Sequence, residues 1–190
     1  VRHSRLLLAL ALLAACSGEA GARDPILAAE RPETQASAPL LVTSPAFGPG
    51  GTIPLRFSAY DKGVSPALSW SALPPGTQSL ALMVEDPDAA SAKPFVHWLA
   101  WNIGPGGRGL AEGAVPPGTV QGKNGRGGAA WFGPHPPGAQ PHHYHFQLFA
   151  LDTALALPSG ADRERLLAAM KGHVLAKGDL VGLFGRPKGR

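Results

Sequence analysis

The sequence predicts a mainly β fold, a β-rich α+β domain with few short helices. Three observations carry this. Short apolar runs of strand character recur along the chain. Abundant Gly (25) and Pro (20) punctuate them, as turns between strands require. Only one segment has a convincing helical pattern.

In Thr52 to Tyr60, the residues Ile53, Leu55, Phe57 and Ala59 alternate with others, which predicts a strand with one buried face. Leu68 to Trp70 is a short strand candidate. Ser79 to Glu85 (SLALMVE) is apolar almost throughout, as in a strand buried on both faces. Phe95 to Ile103 and Tyr144 to Leu151 are further central strands. Ser159 is the expected helix N-cap, with Asp162 three residues on. Arg163 to Lys171 then carries Leu166, Leu167 and Met170 on one face, and Gly172 ends it. A last strand covers part of His173 to Phe184. The long Pro/Gly-rich loops 104–118 and 122–141 are of a length usually tied to function.

The N-terminus reads as an export signal rather than as fold. Arg2, His3 and Arg5 form a basic head, and the Leu/Ala run from Leu6 to Ala15 is too short for a resident membrane helix. Leu13-Ala14-Ala15 precede Cys16, the single cysteine, in a pattern similar to a bacterial lipoprotein signal. An ordinary cleaved leader with a chance cysteine is the alternative. Residues 1–15 are thus read as a signal peptide. Residues 16–39, rich in Ala, Glu, Pro, Gly and Ser, are read as a lipidated N-terminus and flexible linker. Residues 40–190 are read as one domain. Acyl chains would tether it to a membrane face, and Ser17 after the cysteine favours the outer membrane, facing the periplasm. With the leader gone, 15 Lys/Arg stand against 13 Asp/Glu, and no basic stripe suggests nucleic acid. The tail cluster of Arg186, Lys188 and Arg190 is expected to be a solvated end. No disulfide can form within the domain.

The chemistry concentrates in two polar clusters at strand ends. One is Asp86-Pro87-Asp88 with His97-Trp98. The other is Gly133-Pro134-His135-Pro136-Pro137-Gly138 with His142-His143-Tyr144. Pro87 ends pairing and starts a turn that Asp88 can close. Asp86, at the end of a fully apolar strand, needs a partner, and His97 is a candidate. Strict alternation places His97 with Phe95 and Leu99, and His142 with Tyr144, Phe146 and Leu148. A neighbouring carboxylate favours imidazolium, and two imidazoliums can donate hydrogen bonds to phosphate or carboxylate. Trp98, Trp131 and Tyr144 could line an apolar wall.

These residues carry a family resemblance. Asp86-Pro87-Asp88-Ala89, His97-Trp98 with Asn102, Gly133-Pro134-x-Pro136-Pro137-Gly138 and His142-x-Tyr144-x-Phe146 resemble the phosphatidylethanolamine-binding protein family. The bacterial Raf-kinase-inhibitor-like branch is the most similar in pattern. Ser44-Pro45-Ala46-Phe47, Ser65-Pro66-x-Leu68-x-Trp70, Ala150-Leu151-Asp152 and Gly172-His173-Val174 fit it too. The resemblance implies a Greek-key β-sandwich with one small cavity for phosphate or phosphoryl headgroups. It implies a ligand site of Asp86, His97, His142 and Tyr144, with Asp88 and Pro134 at its edge; Trp131 is expected to add an aromatic wall, and no cofactor is expected. It also implies a homodimer as one oligomeric state. Two positions depart from the pattern. His143 stands where the family commonly has Arg, which removes a permanent charge with a rigid donor fork. Trp131 stands where Tyr is common.

Rival readings differ in class. Gly104-Pro105-Gly106-Gly107-Arg108-Gly109 matches a dinucleotide fingerprint, but no helix is expected after it. A metal site would draw on His143 and His145, which share a strand face, and imidazole suits Zn or Cu. A protein-interaction module, inhibiting a protease- or kinase-like partner in the envelope, is the main alternative to anion binding. An Asp–His pair could serve as a general base, but no nucleophile is evident, so an enzyme is not expected.

Overall fold

The computed structural model describes residues 24–36 and 38–189. The expected leader and the Cys16 lipidation site lie outside the described residues. The strands are β1 (Ala38–Pro39), β2 (Val42–Thr43), β3 (Gly51–Thr52), β4 (Leu68–Trp70), β5 (Ser79–Asp86), β6 (Phe95–Ile103), β7 (Gly109–Leu110), β8 (Val120–Gln121), β9 (His142–Leu151) and β10 (Val174–Phe184), with one α-helix, α1 (Arg163–Met170).

The large sheet runs β1-β10-β9-β5-β6-β8, with β3 also on β10, and a small sheet runs β2-β4-β7. The central pairs β10–β9, β9–β5 and β5–β6 are antiparallel. Leu80, Leu82 and Val84 of β5 pack toward the small sheet with Trp70, Phe146 and Leu148. Ala81 and Met83 face the other way, onto Leu166, Leu167 and Met170 of α1. This explains why SLALMVE lacks alternation: a strand covered on both faces must be apolar on both. All eight residues of β5 are buried.

Three expectations change. Thr52 to Tyr60 is not a strand. Ile53 makes one further sheet bond, to the Leu183 carbonyl, and Leu55–Phe57 then turns into a 3-10 helix capped at Pro54. Ile53 and Phe57 are both fully buried, and a spacing of four residues mimics strand alternation. The helix cap is Asp162, whose side chain accepts from Arg165 N–H at 3.0 Å, while Ser159 bonds the Gln121 carbonyl. Gly172 follows α1 with a φ of 80°, a conformation glycine adopts without steric cost.

The third change concerns the linker. Its described part is folded. Residues Ala28–Glu30 and Pro32–Thr34 form 3-10 turns, and Ala28 and Thr34 are fully buried. The backbone N–H of Ala28 donates to Glu85, and that of Ala29 donates to Gln147. Arg163 bridges Glu85 and the Ile26 carbonyl. The segment has no periodicity of its own, so its composition reads as disorder. Its order comes from partners on β5, β9 and α1, and β1 then joins β10. After Gly104–Gly109 comes β7 rather than a helix, so the dinucleotide fingerprint has no structural context.

Candidate functional site

The site forms where the ends of β5 and β9 and the start of β6 meet the loop that precedes β9. Asp86, the last residue of β5, is nearly buried, with 3 % of its surface exposed. Its Oδ1 accepts the backbone N–H groups of Asp88 and Ala89 at 2.8 and 3.1 Å, closing the turn after Pro87. Its Oδ2 accepts from His142 Nδ1 at 2.8 Å. Asp86, not Asp88, therefore closes the turn, and its histidine partner is His142 rather than His97.

His97 reaches the site through a β-bulge. Val84 pairs with Trp98 and Glu85 with Val96, so His97 is the extra residue on β6. The bulge puts His97 beside Phe95 while Leu99 joins the opposite core, so strict alternation fails here. His97 Nδ1 donates to the Phe132 carbonyl at 2.7 Å, because a carbonyl only accepts. Nε2 is then the basic nitrogen. Burial pushes the His97 imidazole down to about 4, outweighing the nearby Asp86 charge. The expected pair of imidazoliums is thus corrected: His97 is neutral at pH 7 and acts as an acceptor.

A cavity of about 110 Å³ opens among Asp86, His97, His142, Phe95, Phe132 and Arg126. Ala89, Ala90, His135, Pro136 and Pro137 complete its rim. Phe132 stacks on His97 with the planes 12° apart, and Arg126 sits 5.2 Å over the outer part of the same aromatic wall. Asn124 holds the Arg126 loop: its Oδ1 accepts from Arg126 and Gly128 N–H, and its Nδ2 donates to Ala130. Gly125 lies flat on Phe95, where a Cβ would come within 2.5 Å of the ring. Gly133 passes equally close to the 57–59 backbone, and Pro134 accepts from Ala59 N–H.

Of the expected site residues, Asp86, His97 and His142 line the cavity. Tyr144 lies behind them, edge-on to His97 at 5.0 Å. Its hydroxyl is buried without a hydrogen-bond partner in good geometry, and burial, then the Asp86 charge, push its pKa well above the usual range. Trp131 is not a cavity wall. It stacks on Phe146 and meets Trp98 edge-on, lining a separate hollow with Gln121. Pro134 is buried structural backbone, although its neighbours form the rim. Asp88 holds His143, accepting from both its backbone N–H and Nδ1 at 2.7 Å. Burial raises the Asp88 pKa, but these bonds hold it below the usual carboxylate range.

The paired-histidine metal site does not assemble. His143 binds Asp88 and His145 binds Asp179, so the two rings have separate carboxylate partners. Among the described residues, no group of three or more His, Cys, Asp or Glu could hold an ion. Sequence reasoning missed Arg126, Phe95, Phe132 and His135. An arginine in a Gly-rich loop carries no periodic signal, whereas Phe95, Phe132 and His135 sit in or beside the polar clusters already singled out. Arg186 is exposed, as expected of a solvated end, and it also donates to the Pro137 carbonyl at the rim at 3.3 Å.

The family model described as phosphatidylethanolamine-binding protein matches residues 43–185. A Methanothermobacter thermautotrophicus protein called UPF0098 is 45 % identical over 146 residues, covering 74 % of this chain and 95 % of its own length. A Mycobacterium tuberculosis protein named "Putative lipoprotein LppC" is 41 % identical over 150 residues, 78 % of this chain and 74 % of its own. The crystal structure of the Chlamydia trachomatis phosphatidylethanolamine-binding protein homologue CT736 superposes with a TM-score of 0.74 at 38 % identity, covering 80 % of this chain and all of that one. Escherichia coli YbcL gives the same TM-score, 0.74, at 29 % identity, covering 79 % of this chain and all of that one. With three-quarters of its length matched, and with the sandwich and its polar cavity in place, this chain belongs to the phosphatidylethanolamine-binding protein family.

Proposed function

We propose that this protein is an exported, lipid-anchored binding domain whose cavity takes phosphate or a phosphoryl headgroup, without catalysing a reaction. One observation carries this reading: His142, oriented by Asp86, and the permanent cation of Arg126 converge on one small cavity. The volume, about 110 Å³, is below the ~300 Å³ lower end for drug-sized ligands. When protonated, His142 can donate Nε2–H to an oxyanion, and Arg126 supplies a donor fork in place of the one missing at His143. Neutral His97 adds an acceptor, which suits a ligand that carries a proton of its own. Both Asp86 oxygens already hold structural hydrogen bonds, so Asp86 orients His142 rather than meeting a ligand itself. The lipoprotein name of the mycobacterial relatives supports an anchor at Cys16 in the cell envelope. The periplasmic face of the outer membrane is our reading from Ser17 after the cysteine.

A thermal-shift titration tests the pocket. Phosphate and phosphoethanolamine should each raise the melting temperature saturably, by the linkage that follows from binding only the native state. An uncharged control should not, and His142→Ala should abolish the response. Absence of any shift with the wild-type domain would overturn the reading.

A further inference from the structure

The N-terminal strap leaves the domain beside the mouth of the cavity. The backbone N–H of Asp24 donates to the Ala92 carbonyl at 2.6 Å, in the loop between β5 and β6. Ala89 and Ala90 of the same loop form the cavity rim. Two residue steps separate Ala90 from Ala92, so the strap ends within roughly 10 Å of the rim. The strap is not loose there. Arg31 forms an ion pair with Asp24, and the Glu85–Arg163–Gln147 network anchors residues 26–29.

This placement shortens the leash. A tether running to residue 39 would let the domain roam up to ~80 Å from Cys16. With the chain fixed from Asp24 onward, eight residue steps remain, and whatever their conformation they span at most ~28 Å. A domain of this size is roughly 40 Å across. Turning its far pole to the membrane would lift the strap's exit about that far above the surface, beyond the leash's reach.

We infer that the strap holds the cavity mouth toward the bilayer that carries the anchor, so that the occupant of this face is that membrane's own headgroup layer. The inference rests on the lipid-anchored reading of Cys16. The headgroup then comes from the same membrane rather than from free solute. The strap is a positioning element, and Glu85 and Arg163 act through it.

The test uses the chain from Cys16 onward, coupled through that thiol to a maleimide-headgroup lipid in phosphatidylethanolamine/phosphatidylglycerol vesicles. A dye is attached by click chemistry to azidophenylalanine at Ala90 or at Gln78. Both positions are exposed, and Gln78 lies at the opposite end of β5. Energy transfer to an acceptor lipid should be roughly twofold or more greater from position 90, since β5 alone separates the sites by about 26 Å. A flexible insert of about 30 residues between Arg23 and Asp24 should erase the difference. Equal transfer from both positions without the insert, or greater transfer from position 78, would overturn the orientation. Because the lipid is supplied chemically, this outcome is separate from the anchor itself. The mass of Cys16 in protein recovered from native membranes tests that, and an unmodified cysteine would overturn the anchored reading and the membrane-facing role with it.

Discussion

Glu85 and Asp86 are consecutive carboxylates on one strand, and they do opposite work. Glu85 turns toward α1 and is fully buried, meeting Arg163, Gln147 Nε2 and the Ala28 N–H. Asp86 turns toward the cavity, where it fixes a turn and a histidine that faces open space. Strand geometry alone sends them to opposite faces. What differs is closure. Glu85 is surrounded by donors from three separate parts of the chain, so it acts as a clasp. Asp86 leaves His142 with a free ring edge, so it acts as an orienting group. Identical chemistry becomes structure or function according to whether its last partner is protein or ligand.

The largest loss of stability is expected from Arg163→Ala. The substitution leaves Glu85 buried and unpaired, and should cost about 3–5 kcal/mol in urea denaturation while the remaining folded protein still responds to phosphate. Equal loss of ligand response in the folded fraction would mean that the two faces are not independent. Acidification should strike the cavity side next. His97 has its folded pKa, about 4, below the unfolded value of 6.5. The unfolded chain therefore binds more protons between these values. Stability is fully present above 6.5 and falls as pH drops toward 4, by roughly 3 kcal/mol from this residue. His97→Phe should flatten the slope of urea stability against pH in that window. His145 works with the opposite sign. Burial lowers its pKa, but the Asp179 contact raises it overall, so its contribution is present at low pH and lost as pH rises through the folded value.

Asp86→Asn should cost about 1–3 kcal/mol through weakened turn and His142 contacts. Unlike Arg163→Ala, it should also abolish the thermal shift with phosphate. The smallest effect on stability belongs to Arg126→Ala, within about 0.5 kcal/mol for an exposed loop side chain. Phosphate affinity should nevertheless fall about tenfold in a calorimetric titration, the equivalent of one charge-assisted contact. Unchanged affinity would remove Arg126 from the site.

Much of the frame was legible because it is periodic. β5, β6, β9, β10 and α1 each announce themselves through apolar runs or a helical face, and their expected bounds differ from the observed ones by at most a few residues. His142 was legible on the correct face because β9 carries no bulge there. His97 was not, because one extra residue in β6 cancels alternation from that point on. The 3-10 turn at Leu55–Phe57 escaped for a related reason, since burial four residues apart fits more than one period.

The β-rich class, the central strands, the family and three cavity residues, Asp86, His97 and His142, can be read from the chain alone. These follow from local patterns, which depend on neighbours along the chain. Which histidine pairs with Asp86, the burial that keeps His97 neutral, the reach of Arg126 into the cavity and the fastening of the strap to the sheet come from the folded arrangement. Each of these depends on groups brought together across 29 to 137 residues of sequence, as with Arg126 against His97 and Arg163 against Ile26. Burial and partner choice arise from that convergence, and no local window of the chain contains it.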